Sequence, residues 1–420
     1  MDKPSEVVII GGGIIGLACA HYLLDRDIGV RIVERDRIGQ GASWGNCGLL
    51  HFSSLIPLCV PGVVGHELRR ALTGSSPLFI KPRFDPGLFY WLYRFAARCK
   101  PEHKTAAASA REKLLKYSWT LYNELFAAHS LDCDLDRKGL LYLFTDQQHW
   151  EHFQATSDFL AQYGFSTRPL DHHQTQALEP AISDQVIGSW HKEQDWHLRP
   201  DQLITAWKEW LLGRGAIIEE ESPVLEIATQ AGTVQHVRTA QTTYRGDAFV
   251  LANGAWSPQL GKKLGLTIPV QPGKGYSMTM ERPEGAPTFP CLLHERNMVV
   301  TPWESGFRLG GTMEFSGYND NLNDKRLGKL LRGVKEYLTT RIGEQPDLEQ
   351  WSGLRPLCYD DLPIIGPAKQ LPNLYLATGH GMLGLSMAPG TGKAICDLIC
   401  TGQSAIDLSP FSPGRFHKND

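Results

Sequence analysis

The sequence EVVIIGGGIIG over Glu6–Gly16, then GVRIVERD with its apolar run ending at Glu34, then GQGASWGNCG over Gly39–Gly48, most restricts the folds open to this chain. Val7–Ile10 reads as a buried parallel strand, Ile14–Leu24 as the helix after a glycine turn, and Val30–Val33 as a second strand. Together these make an opening βαβ unit. Gly11, Gly13 and Gly16 stand where a tight turn, close approach of a pyrophosphate and close helix packing are required. The amides starting at Ile14 and Ile15 then face phosphate charge at a helix N-terminus. Glu34 lies 21 positions after Gly13 at a strand end, where its carboxylate accepts both ribose hydroxyl hydrogens and repels a 2′-phosphate. A dinucleotide site follows, and NAD and FAD share this grip.

The 420 residues exceed what one core usually sustains, so two domains are expected. A formal charge of −3 with both signs mixed along the chain gives no footprint for nucleic acid. Nine cysteines without a CxxC spacing read as reduced thiols, and neither they nor the scattered histidines imply a metal centre. MDKPSE leads straight into a strand without the pattern of a signal peptide, so a cytoplasmic location is expected. The aromatic stretch LFYWLYRFAARC (Leu88–Cys99) is too short to span a bilayer. It is compatible with peripheral contact at the inner membrane face or with an ordinary partly buried helix.

Further along, helices are expected over Ala106–Ser130, over Asp146–Tyr163 with Thr145 as cap, from Pro200 to about Gly213, over Lys325–Arg341 and over Thr391–Cys400. Strands are expected at Leu140–Phe144, Val270–Glu281, Met298–Pro302, Phe307–Thr312 and Leu374–Ala377, with alternating segments near Ala216–Ile227, Val234–Thr239 and Ala248–Ala252 resembling a return to the nucleotide domain. The order implies an α/β Rossmann-like nucleotide domain, discontinuous in sequence, with an α+β substrate domain inserted. Its expected parts are 1–80, 198–265 and 351–420, and those of the substrate domain are 81–197 and 266–350.

The downstream chain decides between the dinucleotides. GASWGNCGLLH, GLRPLCYDDLPIIG (Gly353–Gly366) and NLYLATGHGMLGLSMAPGTGKAICDLI (Asn373–Ile399), taken with the opening fingerprint, resemble the D-amino-acid oxidase-like superfamily of FAD-dependent amine oxidoreductases. Within it the chain looks most like the D-amino-acid dehydrogenase group, with glycine, sarcosine and hydroxyproline oxidoreductases nearby. The resemblance implies FAD, held noncovalently by Gly11, Gly13, Ile14, Ile15, Gly16, Glu34 and Arg35, and by Ser43, Asn46, Cys47, Gly48 and Leu49. It further implies Val224 near adenine, Asn253, Gly254 and Trp256 in the NGAW turn, and Gly379, His380, Gly381, Met382, Leu383, Gly384 and Leu385 beside the flavin. Cys47 replaces a more usual alanine, and Cys358–Tyr359 the usual threonine-proline. The register of Cys358 does not match that of a tethering cysteine, so neither thiol is assigned chemistry.

Oxidising an amino acid at Cα requires a neutral amine, hydride transfer to flavin N5 and a fixed carboxylate, with no side-chain nucleophile. Arg355 in GLRP is the expected carboxylate clamp, its other reading being a surface or domain-joining ion pair. Tyr276 on an alternating strand and Tyr318 on a loop are further candidates for the substrate cavity, or else core and wall residues. His51 follows the GLL stretch and either lines the pocket or packs. The expected activity is oxidative deamination of D-amino acids to 2-oxo acids and ammonia, with electrons passed to a quinone-type acceptor. The alternative substrates are glycine, sarcosine, proline or hydroxyproline-like amines. The residues leave the oligomeric state open.

Overall fold

A computed structural model describes residues 4–72, 78–341 and 348–416. The opening strand Glu6–Ile10 lies inside a six-stranded sheet ordered Ile364–Ala368, Leu371–Thr378, Ala248–Leu251, Glu6–Ile10, Gly29–Val33 and Ile217–Glu219. All its pairings are parallel except the first, a hairpin. Alternating side chains divide between two cores, as a sheet covered on both faces requires. Val7, Ile9 and Val250 pack with the helices Ile14–Leu24, Pro101–Ala128 and Gly384–Thr401. Val8, Ile10, Phe249 and Leu251 pack under an antiparallel meander of Glu226–Gln230, Thr233–Arg238 and Thr243–Arg245. The segments near 227 and 234–239 therefore form a covering layer on the nucleotide sheet and do not enter it.

The second region is built on a large mixed sheet. Its main path runs Glu349–Cys358, Val270–Met280, Gly306–Phe315, Met298–Trp303, Cys291–Leu293, Leu140–Phe144, Gly188–Lys192 and Arg168–Asp171, and Leu78–Ile80 pairs beside Gly306–Phe315. Two of the expected domain divisions cut this sheet. The division after 350 passes through Glu349–Cys358, which pairs with Val270–Met280 along its length, and the division after 80 leaves Leu78–Ile80 on the wrong side of its partner.

Several element ends differ from expectation for local reasons. Asp146, one residue beyond Thr145, caps the next helix by accepting from the His149 amide. The chain enters Pro101–Ala128 earlier than expected, because Pro101 fits a first helical turn. The helix after Asn323 covers Asp324–Tyr337 and stops short of 341.

The C-terminal helix begins at Gly384, ahead of the expected Thr391, and carries Pro389 inside it. Proline has no amide to offer the carbonyl of Leu385, and the Tyr122 hydroxyl donates to that oxygen at 2.7 Å. The next amide, of Gly390, donates to Ser118 Oγ at 3.1 Å. A neighbouring helix thus supplies partners to the groups left free at Pro389. Gly392 lets the same helix lie against the opening one, since a Cβ there would stand 2.4 Å from the Ala18 carbonyl carbon. This crossing brings the N-termini of both helices to one cavity.

Candidate active site

That cavity lies between the two glycine turns and opens to solvent, with about 1340 Å³ of empty space when the solvent-open part is included. Its walls include Gly11, Gly13, Ile14, Ile15, Glu34, Arg35, Ser43 and Asn46 from the opening third of the site. Val224, Asn253, Gly254 and Trp256 line its middle, and His380, Gly381, Gly384 and Leu385 its far end. Gly11 has φ +108°, and a Cβ on it would meet the Ala252 carbonyl oxygen at 2.6 Å. Gly16 packs one turn into the helix, where a Cβ would stand 2.0 Å from the Gly11 oxygen. Both therefore act through backbone approach.

The amides of this turn already have acceptors of the kind a dinucleotide would supply. Ile14 N–H donates to Ser43 Oγ at 3.1 Å, at the positive end of the opening helix. Glu34 accepts from Gly12 N–H at 2.7 Å and from Asp36 N–H at 2.9 Å, which fixes the carboxylate at the cavity wall. Burial pushes its pKa up, against the lowering effect of those amides. Arg35 pairs with Asp36 at 2.6 Å and lays its guanidinium 4.1 Å from the Trp256 ring centroid, so that Trp256 and Arg35 form one wall together. A long, glycine-walled cavity with an acidic strand end and two helix N-termini fits an FAD molecule in chemistry and extent.

Other residues expected at the cofactor play supporting parts. Met382, Leu383, Gly379, Cys47, Gly48 and Leu49 do not line the cavity. Gly379 adopts φ +77°, and a Cβ on it would meet Cys358 Sγ at 2.5 Å. Cys358 is buried beside Gly379 and its thiol is pushed up by burial, as suits a packed thiol. Cys47 turns toward the large sheet, its Sγ 2.1 Å from where a Cβ on Gly310 would stand, and its carbonyl accepts from Thr301 Oγ1 at 2.6 Å. His380 donates to or accepts from Thr391 Oγ1 at 3.0 Å, and burial presses its pKa down to about 3, so its ring is neutral.

Arg355 lies on the strand between Leu354 and Pro356, which both line the cavity, while Arg355 itself does not line it and turns its side chain to the other face of the strand. Its guanidinium crosses Gly275, where a Cβ would come within 2.3 Å of Cζ. Nη1 donates to the Thr312 carbonyl at 2.7 Å and approaches Met313 Sδ at 3.8 Å. Among the described residues no carboxylate lies within ion-pair distance of it, so it is not the domain-joining ion pair that the sequence left open. Burial lowers its pKa, yet a guanidinium remains charged at neutral pH. Thr312 holds φ +61°, a rare conformation for a β-branched residue. This turn aims its carbonyl at Arg355 and fixes one side of the fork.

The remaining candidates are not gathered around Arg355. Tyr276 sits on the opposite face of its strand from Gly275, in the core with Leu327, Leu330 and Val334, and donates to Glu314 Oε2 at 2.9 Å. Strand alternation marks it as one-sided but does not say which side faces the cavity. Tyr318 is 42% exposed and donates to the Ala255 carbonyl at 2.9 Å, joining the substrate region to the NGAW turn. His51 is buried, with Nε2 3.3 Å from Tyr142 Oη, 3.4 Å from Lys192 Nζ and 3.3 Å from Asp195 Oδ2. Burial presses His51 well below its usual range, brings Lys192 down to about 8 and lifts Asp195 to about 6. Asp195 also accepts from Ser53 N–H and Oγ, which pins the chain after His51 to the large sheet.

One functional support was missed from sequence. Arg308, almost fully buried on Gly306–Phe315, donates to the carbonyls of Trp44 and Asn46 at 2.9 and 2.7 Å and pairs with Asp201 at 3.2 Å. It fixes the GASWGNCG loop from below. An arginine alternating with apolar residues in a strand, with an Arg-Pro-Asp helix start elsewhere, was the available signal.

Comparison with known proteins agrees with this geometry. The family model for FAD dependent oxidoreductases matches residues 6–398. A D-amino acid dehydrogenase of Bradyrhizobium diazoefficiens is 30% identical over 417 residues, covering 98% of this chain and 99% of the relative. One from Methylobacterium nodulans is also 30% identical, with 98% and 99% covered. Among solved structures, glycine oxidase from Geobacillus kaustophilus superposes with a TM-score of 0.76 at 23% identity, covering 99% of each chain. L-proline dehydrogenase from P. horikoshii gives 0.73 at 20% identity, again with 99% of each chain covered. These two likenesses establish the shared fold. The chain belongs to the FAD dependent oxidoreductase family and is an FAD-dependent enzyme.

Proposed function

We propose that this enzyme oxidises D-amino acids to 2-oxo acids and ammonia and passes the electrons to a quinone-type acceptor. The observation that carries the proposal is Arg355: a guanidinium without a carboxylate partner among the described residues, steadied by the Thr312 carbonyl, on the strand whose neighbouring residues Leu354 and Pro356 line the cofactor cavity. The names of the 30% identical relatives support the D-amino acid reading.

In this reading Arg355 receives the substrate carboxylate through two parallel N–H donors. FAD bound in the cavity would supply the two-electron oxidising capacity for loss of a hydride from Cα. Fixing the carboxylate leaves the amine and Cα as the mobile end, so the chain's main contribution is orientation. No protein base is assigned, because an amine that arrives neutral needs none. The resulting imino acid hydrolyses in water to the 2-oxo acid and ammonia.

The cofactor is proposed to be noncovalent, since Cys358 and Cys47 both have packed protein surroundings. Acid precipitation is expected to leave a yellow supernatant over a colourless pellet, and a yellow pellet would reject that attachment. A panel of D- and L-amino acids, sarcosine and hydroxyproline, each assayed with oxygen and with a soluble quinone analogue, tests substrate and acceptor together. D-amino acids with the quinone are expected to give the fastest turnover. Turnover confined to secondary or cyclic amines would replace the proposal with its alternative.

A further inference from the structure

Arg355 pairs with Gly273 and crosses Gly275, which puts its side chain on the face of the large sheet opposite the core of Leu327, Leu330 and Val334. That face carries a row of paired residues. Tyr142 pairs with Leu292, Leu292 with Val299, Val299 with Gly310 and Gly310 with Ser277, so the row crosses five strands. Directly paired residues share a face. Their chain neighbours Leu141, Leu143, Cys291, Leu293, Met298 and Val300 are buried in the core on the other side. Tyr142, Leu292 and Val299 are only partly buried, although their strands lie inside the sheet.

The segment from Cys47 to His51 passes over this row. Cys47 Sγ stands where Gly310 lacks a side chain, and His51 Nε2 lies 3.3 Å from Tyr142 Oη at the other end. Three strand spacings separate Gly310 from Tyr142, roughly 14 Å, about the span of four extended residues. Between these anchors Leu50 enters the core of the nucleotide domain, so alternation along Leu49–Leu50 sends Leu49 toward the sheet. Leu49 is partly open as well. Leu49, Leu292 and Val299 therefore face one another across a space that the protein leaves unfilled.

The two ends of the row differ in chemistry. Toward Arg355, Ser277 Oγ is buried with no hydrogen-bond partner among the described residues, and such a hydroxyl carries a desolvation cost until a ligand meets it. Toward Tyr142 the walls are aliphatic, and the Lys192 ammonium, 4.4 Å from the Tyr142 ring centroid, belongs to a residue only 4% exposed. Arg355 is anchored on Thr312, in the strand that holds Gly310. From that strand to Cys291–Leu293 is two spacings, roughly 10 Å. This is the reach of methionine or phenylalanine from carboxylate to side-chain end.

We infer that Leu49, Leu292 and Val299 form the subsite for the substrate side chain, and that it selects amino acids with an extended apolar side chain over alanine and over acidic or basic ones. Each methylene buried there is favourable, whereas an ionised group would lose its hydration without gaining a partner. The inference rests on the reading of Arg355 as the carboxylate clamp.

Calorimetric titration of the FAD-loaded enzyme with acetate, butanoate, hexanoate, hydrocinnamate and glutarate reads the subsite without turnover. Affinity should rise about threefold per added methylene from acetate to hexanoate. Glutarate should bind at least about tenfold more weakly than hexanoate. Leu292→Ala should lower the hexanoate-to-acetate affinity ratio about fivefold, and Val299→Phe, which fills the space, should lower it further. FAD content reports the folding of each variant. Arg355→Met should weaken all these ligands alike. Anaerobic flavin reduction should favour D-norleucine over D-alanine, D-glutamate and D-lysine by at least about tenfold. Affinity that ignores chain length, a preference for glutarate, an unchanged ratio in the folded variants, or fastest reduction by D-alanine or a charged amino acid would overturn the inference. The expected carboxylate pattern in an enzyme whose flavin no amino acid reduces would keep the subsite and remove the amine chemistry, so the two failures are told apart.

Discussion

Arg355→Met is expected to retain FAD and the fold while weakening flavin reduction by the amino acid substrate by about 10–100-fold in affinity. Methionine keeps apolar length but loses the two parallel donors, and a hydrogen bond to a charged group contributes roughly 1.5–3 kcal/mol. Misorientation of Cα lowers the reduction rate further. The carbonyl of Thr312, which accepts from Nη1 at 2.7 Å, loses its donor in the variant, so a modest loss of stability accompanies the change. Rapid mixing at several substrate concentrations, normalised to bound flavin, separates affinity from rate. Unchanged values of both would remove Arg355 from the substrate site.

Gly11→Val should have its largest effect on FAD retention. The backbone there has φ +108°, and the space a Cβ needs is taken by the Ala252 carbonyl oxygen at 2.6 Å. A β-branched residue forces the turn to move, at a cost of about 1–3 kcal/mol for the backbone alone. The Gly12 amide bonded to Glu34 and the Ile14 amide at the helix start move with it. Weaker FAD binding by at least about 100-fold is expected, from that strain together with lost amide contacts. Fluorescence titration of the cofactor-free protein with FAD measures it. FAD affinity equal to wild type, in a variant with unchanged circular dichroism, would contradict the role given to this turn.

The readable parts of the chain were those where one local rule dominates. Strand, glycine turn, helix and Glu34 fall within a single short stretch, so no distant contact was needed to place them. The C-terminal helix shows the opposite case. The helix is expected only from Thr391 but starts at Gly384 with Pro389 inside it, because Tyr122 and Ser118, more than 260 residues away in sequence, supply partners for the groups freed around the proline. Tyr276 shows a second limit: period-two alternation shows that a strand has two faces, while the packing of Asp324–Tyr337 decides which one becomes core. Arg308 and the turned backbone of Thr312 stayed hidden because both act on carbonyl groups, and carbonyls have no signature in a sequence.

His51 belongs to the same lesson. Its position after GLL left lining the pocket and packing both open, and the structure gives it Tyr142, Lys192 and Asp195 as polar neighbours. Lys192 and Asp195 come from a strand and turn far along the chain, so only the folded sheet could gather the cluster.

The central claim is that an amino acid held beside the cofactor cavity reduces bound FAD directly. It is tested by mixing the FAD-loaded enzyme with a D-amino acid in the absence of oxygen and any other acceptor, and following the oxidised flavin absorbance. The account predicts bleaching of the bound flavin in a single turnover, with one 2-oxo acid formed per flavin reduced. An oxidised spectrum that persists with every D-amino acid, in enzyme whose flavin dithionite still bleaches, would contradict it.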